Sequence, residues 1–215
     1  MISGIFSRLR ERRGRHRKAI SSWIGRPILL HALLLSAAPS VLAAELNTDA
    51  MVKESRVYAG QLLGQVSDAL AREYKLSGPL RSVVVCKYVV PELSSAISRQ
   101  SGMRVTRVSL KVRNPLTGMP DAFESRLLKQ FDQRAAKGEK PEKIEHWEVV
   151  NEDEQRYFRY MKAIPVKDFC LACHGPNASI STALKAKLRS EYPNDQAVDY
   201  RVGQIRGAIT IKKPI

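Results

Sequence analysis

Three residues within a run of five could do the most chemistry in this chain. They are Cys170, Cys173 and His174, in the stretch KDFCLACHGP from Lys167 to Pro176. The spacing C-x-x-C-H is the attachment signature of a c-type haem. Two thiols at this spacing can add to the two vinyl groups of one haem. The histidine that follows directly is then held under the iron as an axial ligand. Two other chemistries use the same pair of cysteines. A zinc site needs a second Cys/His pair to close four coordination positions. Outside the motif and the first 44 residues only Cys86 and His146 are available, at no zinc spacing. A redox dithiol sits at the strand-to-helix turn of a thioredoxin-like pattern, which is not seen here. One covalently attached haem c is the preferred reading.

The chain has three cysteines, so haem attachment leaves Cys86 over. In an oxidising compartment an unpaired thiol is a liability or has a job. It sits in VVVCKYVV, and spacing alone leaves two readings open: a small buried hydrophobe, or a thiolate on the second face of the iron. His146, in the alternating run IEHWEVV, is a surface or packing histidine before it is a ligand. Met103, Met119 and Met161 lie in apolar patterns that read as core. Trp147, Tyr157 and Phe158 either line a pocket or fill the core.

The elements that must position these residues follow from hydrophobic period and punctuation. Glu45 to Tyr74 has helical spacing, and Ser77-Gly78-Pro79 stops it. A second segment is expected to be helical to about Val89, to break at Pro91 and to continue as a short helix. In that helix Val83, Cys86 and Val90 share a face, although VVV also suits a strand. Met103 to Val112 alternates as a strand, and Asn114 to Gly118 reads as a loop. Asp121 with Glu124 predicts a capping box for a helix over Ala122 to Ala136. Ile144 to Val150 and Gln155 to Val166 read as strands joined by a hairpin turn at 151–154, the second running into the haem motif. A helix over Ser181 to Ser190, a loop over Tyr192 to Tyr200 and a last strand over Ile205 to Ile211 complete an α+β fold.

The first 44 residues read as an address. Eight basic residues, from Arg8 to Arg26, precede the apolar run ILLHALLL and the small-residue run SAAPSVLAA, the pattern of a secretory signal peptide cleaved after Ala43 or Ala44. The alternative is an uncleaved anchor, but Ile28 to Ala44 falls short of the ~20 residues a span needs. Haem joins C-x-x-C-H after export in bacteria, so both signals point to the periplasm. Residues 45–215 then form a single domain. They hold 28 Lys and Arg against 20 Asp and Glu, a net of +8 out of the +15 of the whole chain. Much of the basicity belongs to the signal, which weakens a nucleic-acid reading. The remaining charge suits an acidic redox partner or, with the anchor retained, an anionic membrane.

Four stretches resemble the haem-binding PAS-like family catalogued as domain of unknown function 3365. They are VCKYVVPELSSAIS, VSLKVRNPLTGMPDAFE, KAIPVKDFCLACHG and YPNDQAVDYRVGQIRGAITI. They cover most of residues 45–215 in the family's order. The resemblance implies a PAS-like antiparallel sheet with flanking helices. It also implies attachment at Cys170 and Cys173, His174 on one iron face, and Cys86 as the second axial ligand. Asp199 departs from the pattern, which expects glycine before the tyrosine. Arg113 and Arg206 sit in the family's specific runs. Each can pair with a haem propionate or make an ordinary structural ion pair. Family members occur alone and as sensor parts of signalling proteins; with Ile215 closing the sequence, a stand-alone module with no transmitter domain is the expectation. The expected function is a redox or gas-responsive haem module, with haem and a small gas or a redox protein as partners. The alternative is a periplasmic electron-transfer cytochrome with both ligands retained. An enzyme ranks third, because no proton-handling group is identified beside the iron.

Overall fold

The computed structural model describes residues 47–215, so the expected signal segment lies outside the described residues. Helix α1 spans Thr48–Val84. The Asn47 side chain caps it, accepting from Ala50 N at 2.9 Å. Val52, Ser55, Ala59, Leu62 and Val66 are buried at steps of three and four, giving one stripe to pack. The predicted stop is a kink rather than an end. Gly78 has φ 72° and ψ −174°, a conformation only glycine adopts readily. Pro79 then opens a new turn with its fixed φ.

The next break is also subtler than predicted. Val85–Val89 forms one π-helical turn, closed by Val90 N–H to Val85 O, and α2 (Val90–Ser101) follows directly with Pro91 in its first turn. Pro91 has no N–H, so a carbonyl in the preceding turn loses its α-helical donor in any case. A widened turn just before it costs little more.

Strand β1 is Arg104–Val108, shorter than the predicted run to Val112. Ser109 leaves the ladder: its hydroxyl donates to Arg206 O at 2.7 Å and its N–H to Gly118 O at 3.2 Å. The predicted loop at 114–118 holds a helical turn, α3 (Pro115–Gly118), started by the Asn114 side chain. Helix α4 (Ala122–Ala136) has the expected capping box: Glu124 N bonds Asp121 Oδ1 at 2.8 Å and Asp121 N bonds Glu124 Oε2 at 2.9 Å. Strands β2 (Glu145–Glu152) and β3 (Gln155–Pro165) form a hairpin across Asp153 and Glu154, both at positive φ. Helices α5 (Leu171–His174) and α6 (Thr182–Glu191) and strand β4 (Ile205–Pro214) follow.

The sheet has the order β1-β4-β3-β2 and every pairing is antiparallel. Alternation gives each face its own core. Phe158, Tyr160, Ile209 and Ile211 meet the buried stripe of α1 and Ile97 of α2. Met161, Ala163 and Ala208 meet Leu127, Leu128 and Phe131 of α4. Full burial of one such side chain stabilises by about 2 kcal/mol. The long N-terminal helix, flanking helices and antiparallel sheet are the α+β class expected. No helix among the described residues is long and apolar enough to cross a membrane.

Candidate functional site

Strand β3 delivers the chain to the C-x-x-C-H turn, and the loop before β4 folds back to hold that turn. Val166 N bonds Gln204 O at 2.8 Å, Tyr200 N bonds His174 O at 2.9 Å, and Asp199 N bonds Gly175 O at 2.9 Å. Asp199 takes φ 60°, the left-handed region in which the family pattern's glycine is at ease. Aspartate tolerates it, and its Oδ1 accepts from Asn177 N at 2.7 Å. The departure noted in the sequence therefore adds a bond to the same loop.

His174 is oriented by this loop. Its Nδ1 lies 2.8 Å from Ala197 O. A carbonyl only accepts, so Nδ1 carries the hydrogen and Nε2 keeps a lone pair. Arg206 Nε donates toward Nε2 at 3.4 Å. Burial pushes the His174 pKa well below its ordinary value, helped by the charges of Arg206 and Arg113. The ring is the neutral imidazole that metal ligation requires.

Arg113 takes the ion-pair role rather than a free one. Its Nε donates to Asp195 Oδ2 at 3.0 Å, and its Nη2 donates to Cys173 O at 2.6 Å and Ala197 O at 3.2 Å. It is a strut between the motif and the loop that aims His174. Arg206 differs. Its Nη1 donates to Ser109 Oγ at 2.8 Å and Lys111 O at 3.2 Å, so every partner it has is neutral. Burial lowers its pKa to about 10. Among the described residues no carboxylate forms an ion pair with it.

His174 and Arg206 form part of the wall of a cavity of about 580 Å³, together with Cys86, Val90, Ile164 and Tyr192. That volume lies in the range of small-molecule and cofactor sites, roughly 300–1,000 Å³. Cys86 reaches it from the π-helical turn. Lys87, beside it, is hydrogen-bonded to the Glu191 carboxylate and, at 3.3 Å, to Glu191 O, tying that turn to the end of α6 next to Tyr192. Val83, expected on the same face as Cys86 and Val90, instead packs with Ile180, Leu184 and Leu188, because the five-residue turn interrupts the 3.6-residue period.

Cys170 and Cys173 lie outside the cavity wall. Cys170 packs beside Val166, Ala197 and Tyr200. Cys173 packs with the Val83 and Tyr192 cluster, where burial pushes its thiol up to about 11. His146 lies on β2, 3.6 Å from Glu148, and does not reach the cavity. Met103 and Met161 are core, and Met119 is on the cavity rim. Phe158 is core and Trp147 stacks on it at 6.1 Å; neither they nor Tyr157 line the cavity.

The residues not singled out in the sequence are Arg99, Arg104 and Arg107. With Arg113 and Arg206 they put five arginines and no Asp or Glu around one cavity. They come from the end of α2, from β1, from the segment between β1 and α3 and from β4, a convergence that no local pattern announces.

A sequence profile of the Tll0287-like family matches residues 36–214. The chain belongs to the Tll0287-like family. The family resemblance read from the four stretches is thereby borne out. The crystal structure of the cyanobacterial haem protein Tll0287 is similar to this chain at 26% identity, over 78% of this chain and 94% of that one, with a TM-score of 0.55. No curated protein sequence matches significantly. The residues of this Tll0287-like chain fit a haem: a neutral imidazole, a thiol in the same cavity wall, two thiols beside it, and a buried guanidinium with no anion of its own. Around C-x-x-C, by contrast, no zinc set is completed, since among the described residues no three His, Cys, Asp or Glu side chains converge to hold a metal ion.

Proposed function

We propose that this Tll0287-like chain is an exported single-haem protein whose haem c is joined to Cys170 and Cys173, with His174 and Cys86 as the two axial ligands. The observation that carries the reading is that Cys86 and His174, far apart in the sequence, line one cavity. When bound, a haem so ligated supplies a one-electron couple whose potential the thiolate lowers relative to His/Met ligation. The protein's part is orientation and charge. Ala197 O fixes the tautomer and ring plane of His174. Arg113 locks the loop that carries Ala197 to the motif itself. Arg206 offers an unpaired guanidinium to a propionate.

The role that fits this arrangement is a redox or gas-responsive module. Cys86 sits on a widened π-helical turn of a long helical segment, so of the two ligands it is the one whose release disturbs least structure. Reduction with dithionite followed by carbon monoxide tests this: a prompt Soret shift is expected. No shift would favour the second reading, an electron carrier with both ligands retained, to which the Lys87–Glu191 tie lends support. Cys86→Ala is expected to abolish the ferric thiolate signal in electron paramagnetic resonance, and an unchanged spectrum would refute the ligand assignment. Colour that survives denaturation and acid–organic extraction is expected from covalent attachment. Export to the periplasm with cleavage predicts a mature mass beginning at Ala44 or Glu45; a full-length membrane-bound species would favour the anchor.

A further inference from the structure

We propose that the arginine-lined mouth of the cavity is the docking surface of an acidic electron-transfer protein. The inference rests on the haem reading of the cavity, though not on the identity of the axial ligands. Its first support is a charge count. Among the described residues, Arg113 alone of the five lining arginines has a carboxylate partner, Asp195 at 3.0 Å. Two propionates would balance two of the remaining four, leaving two positive charges unmatched. Arg99 and Arg104 are exposed and Arg107 is half-buried. None of the three makes a side-chain hydrogen bond or ion pair among the described residues. The nearest acidic residue along α2, Glu92, does not line the cavity.

The second support is independent of charge. The α3 turn lines the same mouth and presents Leu116 at 95% exposure and Met119 at 60%. The turn is not loose: Asn114 caps it, Gly118 N bonds Asn114 O at 2.9 Å, and Gly118 O takes the Ser109 N–H. A leucine held almost wholly in water by an ordered turn gains nothing from this chain's own core. Beside a ring of unpaired arginines it completes a small apolar contact with a cationic border, the composition of a transient encounter surface. These groups surround a concave mouth. A convex acidic protein can enter that mouth and reach the arginines and the α3 turn together.

The test uses the haem-loaded full chain, with flavodoxin, a small acidic one-electron protein, as the probe. Binding is read by calorimetry at low salt and electron exchange by stopped flow. R99Q/R104Q is expected to weaken binding about 10-fold and to flatten the fall of the rate with ionic strength. L116S is expected to weaken binding about threefold with the salt dependence unchanged. Equal binding by wild type and R99Q/R104Q would overturn the proposal. So would binding to vesicles of about 30% phosphatidylglycerol in phosphatidylcholine with no binding to flavodoxin. The Soret spectrum of both variants is expected to match wild type; loss of haem from R99Q/R104Q would assign those arginines to the cofactor and also overturn it. Calorimetry needs no haem, so a colourless protein would sink the haem reading while the docking surface is still decided by the binding constants.

Discussion

Arg159 and Arg206 are buried arginines on neighbouring strands, and their surroundings are opposite. Arg159 is fully buried between the sheet and α4, and it meets Asp121 at 2.7 Å, Glu152 at 2.6 Å and Glu124 at 3.2 Å. Burial pulls its pKa down, but the Asp121 hydrogen bond and the surrounding carboxylate charges outweigh that and raise it. Arg206 is nearly as buried; it hydrogen-bonds only a hydroxyl, a carbonyl and an imidazole and lies over the Tyr200 ring at 5.6 Å, all of them neutral groups. Nothing outweighs its burial, and its pKa falls to about 10. A buried charge left without an opposite one is costly. The first cluster is closed and belongs to the fold. The second has no opposite charge among the described residues, and that asymmetry, more than burial itself, sets the two arginines apart.

Removing each guanidinium tests the contrast most directly. Arg159→Met strands three carboxylates, and a loss of about 3–5 kcal/mol is expected in urea unfolding. A loss under 1 kcal/mol would mean that the cluster is not closed as described. Gly207→Ala comes next. A Cβ there would lie 2.3 Å from Val108 O, backbone that cannot step aside, and about 2 kcal/mol of destabilisation is expected. The same shift would carry Ser109 away from Arg206, sharpening the comparison from the cavity side. Arg206→Met, measured in the haem-free protein, is expected to cost about 1 kcal/mol or less, since only contacts with neutral groups are lost, hydrogen bonds and the Tyr200 ring. A cost equal to that of Arg159→Met would erase the distinction.

The smallest effect concerns the tie that holds the Cys86 turn. Hydrogen bonds from Lys187 and Lys87 pull the Glu191 pKa down to about 2. A carboxylate depressed in the folded state stabilises above its ordinary value of 4.5 and loses that contribution as pH falls toward 2. The melting-temperature gap between wild type and Glu191→Gln should therefore be present near pH 6 and close between about pH 4.5 and 2. A gap that persists at pH 2 would assign it to packing instead of charge.

Where the physics is local, the sequence was a good guide. Asp121 and Glu124 are three residues apart, and the box they form needs nothing else, so the start of α4 could be read directly. The C-x-x-C-H run and the long strand β3 feeding it are likewise contiguous. The π-helical turn was not legible. It depends on the missing N–H of Pro91, which is visible, and on a tie from Lys87 to Glu191, which spans 104 positions and is not. Arg159 reads as an ordinary polar residue in an alternating strand, because the alternation gives its face but not the α4 carboxylates opposite. Arg113 pairs with Asp195, 82 positions away, and no local pattern announces that contact.

The widened turn at Val85–Val89 also constrains how this chain can change length. Each residue of an α-helix rotates its successors by about 100°. The turn holds one residue more than an α-helical turn would, and that surplus sets the phase between α1 and α2. Val83 before it and Ile97 after it are both buried. Deleting any one residue from 85 to 89 would restore a regular helix and swing one of those two faces into water. Adding one would do the same in the opposite sense. Elsewhere on the surface a gap or an insertion is absorbed by a loop; here the spacing between the thiol-bearing turn and the helix that follows is fixed to the residue.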